Sequence, residues 1–181
     1  MGCSQIEPYP FNEKTISKNK IEDCPNIEGI YHDVGEGEKN SHCEAVTVNI
    51  YMKSCSFYRM MVDQWLSSND EVVFEITQPS ADKLNITFKN EEKQINKIEM
   101  NKEEGDYYCS EEGIVIPQAD FHVDGTGMVT GTKKYILNSL EDNYLLVKRV
   151  SHAAGLGFFW VPFAGKAEGW YRWKKVNVEN P

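Results

Sequence analysis

Along most of the chain, apolar and polar residues change places at every second position, in short runs broken by Gly, Pro, Asn and Asp. That period belongs to strands with one buried face. It is clear at 45–52, where Val46, Val48 and Ile50 alternate with Thr47, Asn49 and Tyr51. Similar runs predict strands at 27–34, 71–76, 83–88 and 94–100, and again at 107–109, 113–117, 127–131, 135–137 and 144–150. Polar turns at 35–40, 78–82 and 138–143 separate several of them. One stretch has another period: at 56–66, Phe57, Met61 and Trp65 recur every four residues, and Tyr58, Val62 and Leu66 form a second row. Such rows are the stripe of an amphipathic helix packed over a sheet. Short strands at close, regular spacing predict a mainly β domain: an antiparallel barrel, half-barrel or sandwich, with one short helix. The pattern assigns 24–178 to this single domain, and reads 1–23, polar and broken by Pro8 and Pro10, as a tether.

The residues 153–165 break the alternation with an uncharged run, followed by Lys166, Ala167, Glu168 and Gly169 and then by Trp170 and Trp173. The run is too short for a membrane-spanning helix, which needs about 20 apolar residues. Its glycines and Pro162 disfavour a helix of any length. Two strands joined by a Gly-rich turn fit it better. In one placement Phe159, Val161 and Phe163 face the core, with Phe158, Trp160 and Pro162 beneath a loop or the helix. In the other, one face stays exposed and docks a protein or a lipid headgroup region. Pro162 suits an edge strand, and an exposed aromatic patch marks an interaction site. The partner-binding candidates are therefore Phe158, Trp160 and Phe163.

Composition narrows the function classes. A chain of 181 residues, 40% apolar and 12% aromatic, is long enough to bury a core and reads as a folded globule. A net charge of −9, spread along the chain, argues against nucleic acid, which calls for a clustered basic surface. Cys3 stands apart from Cys24, Cys43, Cys55 and Cys109, and no Cys-x-x-Cys pair suggests a zinc ribbon. The four internal cysteines are disulfide candidates with three possible connectivities. A hairpin between 27–34 and 45–52 sets Cys24 opposite Cys55 and leaves Cys43 for Cys109. Each bridge would contribute about 3–4 kcal/mol.

Catalytic signatures are missing: there is no Gly-x-Ser-x-Gly, no His-Glu-x-x-His and no phosphate-binding glycine loop. The expectation is therefore no catalytic residue, no cofactor and no metal. His122 and Asp124 fall on one side of a strand, but two ligands do not make a site, and His42 beside Cys43 yields to an oxidised Cys43. The acid pairs at 91–92, 103–104 and 111–112 keep an envelope hydrolase as a third reading, since a glycosidase needs two carboxylates about 5–10 Å apart. Asn85-Ile86-Thr87 is a glycosylation sequon that has meaning only in a eukaryotic secreted protein.

Two resemblances add expectations. Met1-Gly2-Cys3-Ser4-Gln5 resembles the end of a bacterial lipoprotein lipobox, in which a small residue precedes the acylated cysteine. It implies lipidation of Cys3, a membrane anchor through its acyl chains, and a place in the cell envelope facing the periplasm or exterior. Myristoylated chains also begin Met-Gly-Cys, but they prefer Ser or Thr where Ile6 stands. Gly29-Ile30-Tyr31 with Arg172 resembles the lipocalin pattern, Tyr31 standing in for the family's tryptophan. That resemblance implies a barrel, an arginine packed over the first-strand aromatic, and a small apolar ligand in the mouth. The leading expectation is a non-enzymatic envelope lipoprotein that binds a protein partner, similar in kind to periplasmic inhibitor or immunity proteins or to envelope-assembly accessories. A lipocalin-like carrier is the second.

Overall fold

The computed structural model describes residues 24–37, 56–62, 72–91, 93–124, 127–140, 143–156 and 162–176. The expected class holds: a mainly β domain of two antiparallel sheets in a sandwich-like arrangement, with one very short helix. The first sheet has the order β1 (Gly29–His32), β3 (Val72–Ser80), β4 (Lys83–Asn90), β5 (Lys93–Asn101). The second runs β2 (Glu36–Gly37), β10 (Pro162–Lys174), β9 (Tyr144–Leu156), β8 (Gly127–Leu140), β7 (Gly113–Asp124), β6 (Tyr108–Ser110). Its centre is a meander of four long strands, β7 to β10.

In β3 and β4 the alternation translates directly into burial. Phe74 faces Phe88 and Ile76 faces Ile86 across the ladder, and all four are buried. The turn between them is tighter than the predicted 78–82. It is the pair Ala81 and Asp82, because β3 continues through Pro79 by an irregularity in register between Thr77 and Ser80. A proline without an N–H is tolerated where the ladder is interrupted.

The predicted helix appears as α1 (Phe57–Val62), with Phe57, Tyr58 and Met61 buried; Trp65 and Leu66 lie outside the described residues. Six residues are far too few for a self-supporting helix, and tertiary groups bond its ends. Buried Asp33 accepts from the Tyr58 N–H through its carboxylate (2.7 Å) and from the Phe57 N–H through its carbonyl (3.1 Å). The Ser56 hydroxyl accepts from the Arg59 N–H, and the Tyr135 hydroxyl donates to the Met60 carbonyl. Phe57 then stacks on Phe74 (centroids 4.2 Å) and meets Trp173 edge-on (5.0 Å), while Tyr58 meets Phe88 edge-on at 4.9 Å.

The chain from β1 to β2 bends through Asp33 and Gly35 and passes from one sheet to the other. Gly35 is required there: a Cβ would lie 2.4 Å from the Trp173 ring. Trp173 Nε1–H donates to the Asp33 carbonyl at 3.0 Å and locks this corner. Lys175 and Val176 also bond toward this corner, with the Val176 N–H donating to Ile30.

Three expectations are corrected. The sheets stay open, since β5 and β6 do not pair, so there is neither a barrel nor lipocalin-like closure. The arginine placement that went with it fails as well. Trp173 points into the core, so its neighbour Arg172 turns outward, ion-pairs with Glu36 (2.6 Å) and lies over the Tyr144 ring (4.9 Å). Tyr31 is enclosed instead by Phe74, with its hydroxyl donating to the Ile27 carbonyl. Where a lipocalin keeps room for a ligand, this interior holds the rings of Tyr31, Phe57, Phe74, Phe88 and Trp173.

The cysteine pairing differs too. Cys24 is bonded to Cys109, with Cα atoms 5.2 Å apart, which rules out Cys24–Cys55 and Cys43–Cys109. The described partner of β1 is β3, and the bridge holds the segment before β1 to β6, which contains Cys109. A bridge spanning 85 residues contributes about 4–5 kcal/mol in the chain-entropy picture. Cys43, Cys55 and the predicted strand at 45–52 lie outside the described residues.

Candidate functional site at the open end of the meander

The four long strands share one continuous register. Near their connection to β6 and β2 they form a covered half. The row Ile114, Leu137, Val147 and Tyr171 faces the core, and so does Leu145 opposite Trp173. On the other face Val115, Ile136, Leu146 and Val150 are buried as well. Farther along the same strands the described second layer ends. Every residue of β10 from Pro162 to Glu168 is exposed, and Ala119, Thr130, Thr132, His152 and Ala154 are exposed on its neighbours.

This uncovered half is where the sequence expectation about 153–165 is decided for the described residues. Phe163 is 43% exposed, opposite Gly155, so it is not a core residue. Phe158 and Trp160 belong to the β9–β10 connection and lie outside the described residues, as does Cys3. Pro162 opens β10 opposite Leu156 of β9, and among the described residues the other side of β10 is paired only at Tyr171 and Arg172, so a proline without an N–H is tolerated there. Small residues fill the rows around Phe163: Thr130, Ala154 and Ala164 in one, Gly131, Ala153 and Gly165 in the next.

Charge gathers at the boundary between the two halves. Glu168 accepts from Lys166 on its own strand, and Lys148 of β9 lies 3.4 Å away. The bond from Lys166 and the neighbouring Lys148 charge hold the Glu168 carboxyl below the usual carboxylate range, against the opposing effect of partial burial. The Lys148 ammonium also lies over the Trp170 ring, 5.2 Å from its centroid.

The remaining candidates are not brought together into a site. His122 and Asp124 occupy the end of β7, in register with Val129 and Gly127. Glu103, Glu104, Glu111 and Glu112 are exposed in two separate turns, and Glu91 caps a third, where it takes a positive φ of 52°. Among the described residues no three His, Cys, Asp or Glu side chains gather to hold a metal. The sequence reading placed an edge strand at Pro162 but did not foresee that the exposed stretch runs on to Glu168, although a signal was present: small residues alternate with Lys166 and Glu168 between two aromatic blocks.

No family model, curated protein or solved structure matches the chain.

Proposed function

We propose that this protein is a non-catalytic binding domain of the cell envelope, held to the membrane by acyl chains on Cys3, and that the uncovered half of the meander is its docking surface. The observation that carries this reading is the exposure of Phe163 on a sheet whose covered half packs equally large rings out of water. Apolar surface of that kind gains free energy when a partner covers it. Phe158 and Trp160, in the adjoining connection, extend the same aromatic content. The Cys24–Cys109 bridge supports the compartment, because such bridges persist where the surroundings are oxidising. The partner is a protein, of the inhibitor, immunity or envelope-assembly kind.

The test is photo-crosslinking in intact cells from position 163, set against position 97 on the first sheet. We expect a discrete crosslinked protein from 163 alone, lost when Trp160→Ser and Phe163→Ser are combined in a chain that still folds. Equal yields from both positions, or unfolding of the double variant, would remove the basis of the docking surface. The anchor is tested by the intact mass of membrane-extracted protein expressed from its native gene, where acyl chains on Cys3 are expected.

A further inference from the structure

The uncovered half of the meander has two faces, and they differ in chemistry. Phe163 lies on the face that β10 shares with Trp173. Residues that alternate with these turn to the opposite face, and that face is charged. There the ladder sets Thr132, His152 and Lys166 in one row. In the next row Lys134 and Glu168 flank Val150, and in a third Lys148 stands opposite Trp170. Strands about 4.8 Å apart, with rows about 6.8 Å apart, confine these groups to a patch of roughly 10 by 14 Å.

Three lysines in this patch meet one carboxylate. Glu168 binds Lys166 and lies 3.4 Å from Lys148, and one carboxylate neutralises only one of the two. Among the described residues no other acid stands in these rows, and neither Lys134 nor His152 has a carboxylate partner. Thr132, His152 and Lys166 are exposed, so the surplus of positive charge faces water. On a chain of net charge −9 such a patch is a local exception.

We propose that this patch receives an acidic segment of the protein partner, a short run rich in Asp and Glu. The inference rests on the docking reading above and adds the partner's chemistry to it. Complementary potentials steer encounter and fix register. A carboxylate is attracted beside Lys134 or Lys166 and repelled beside Glu168, so the patch selects where acids sit. An anionic lipid surface has the right sign but spreads over the whole footprint of the molecule, where a net charge of −9 opposes it. A short acidic segment meets the patch alone, because charges more than about 8 Å away are screened at physiological salt.

The experiment titrates labelled poly-L-glutamate into the full chain and follows anisotropy at rising salt, with phosphatidylglycerol vesicles in parallel. Cys3→Ser is carried throughout, so that no acyl chain reaches the vesicles. Binding to poly-L-glutamate should weaken with salt and fall about tenfold or more when Lys134→Glu and Lys166→Glu are combined. Lys83→Glu with Lys93→Glu changes the net charge equally from the first sheet, and should cost less than about twofold. Lys134→Gln with Lys166→Gln sets no new carboxylate beside Glu168 and should give an intermediate loss. In cells the crosslink from position 163 should fall when the patch is reversed. The inference is overturned if poly-L-glutamate does not bind, if both double reversals weaken it equally, or if the vesicles bind more tightly. A crosslink from 163 unchanged by the reversal leaves the docking surface standing and removes the acidic partner. No crosslink from 163 in the parent removes the docking surface, and this inference with it.

Discussion

Trp173 and Phe163 stand ten residues apart in one strand, on the same face of one sheet, yet the first is 0% exposed and the second 43%. Neither strand alternation nor side-chain chemistry separates them. The difference lies in what stands opposite. Strands β3 to β5 have 8 or 9 residues, whereas β7 to β10 have 12 to 14. About four extra residues at about 3.3 Å each carry the meander roughly 13 Å past the layer that covers it. Within the covered half, ring packing and buried hydrogen bonds reinforce one another. Beyond it, the same backbone ladder continues with small residues, and surface becomes available for other molecules.

Stability measurements should separate the halves sharply. The greatest loss is expected from Trp173→Ala, about 3–5 kcal/mol, because it opens a cavity against Phe57 and Phe74 and leaves the Asp33 carbonyl without the indole donor. Denaturant unfolding measures it. An effect below about 1 kcal/mol would mean that the corner does not hold the sheets together. Next, replacing Cys24 and Cys109 together by serine should cost about 2–5 kcal/mol, visible as a lower midpoint in the absence of reductant.

Tyr31 provides a pH test of the covered half. Burial pushes its phenol up to about 12, so the folded state keeps the proton after the unfolded chain has begun to lose it near 10. The raised folded value means that stability is intact below about pH 10 and falls as pH rises toward 12. The expected loss from this group is on the order of 3 kcal/mol across that window, and Tyr31→Phe should remove this share of the alkaline decline. An unchanged alkaline limb in Tyr31→Phe would show that the ring is not so enclosed.

Smaller effects should follow. Asp33→Ala removes the carboxylate that supports the first turn of α1 and should cost about 1–2 kcal/mol, with loss of amide protection at Tyr58. At the far end of the scale, Phe163→Ala should change stability by less than about 0.5 kcal/mol, as surface substitutions do. A loss of 3 kcal/mol or so there would erase the distinction between the two halves.

Where a segment has one buried face, the residues themselves disclosed the structure. The alternation at 71–76, 83–88 and 94–100 became β3, β4 and β5, and the four-residue rows of Phe57 and Tyr58 became α1. The alternation failed in the uncovered half. There β7 runs on past Pro117 to Asp124, β9 past Val150 to Leu156, and the two short strands predicted at 127–131 and 135–137 are one strand, β8. Thr132, Lys133 and Lys134 looked like a break because a strand wet on both faces needs no apolar residue, and its neighbours' backbones alone keep it extended.

Local pattern thus determined the fold class, the helix and most strands of the covered layer, since burial on one face imposes a period that the side chains must follow. Tertiary structure decided the rest. Whether the sheets close depends on hydrogen bonds between β5 and β6, which Gly29-Ile30-Tyr31 and Arg172 cannot specify. The partner of Cys24 depends on which distant strand end lies within disulfide reach. The exposure of Phe163 depends on where the opposing sheet stops, a relation between two layers that no run of residues in either one records.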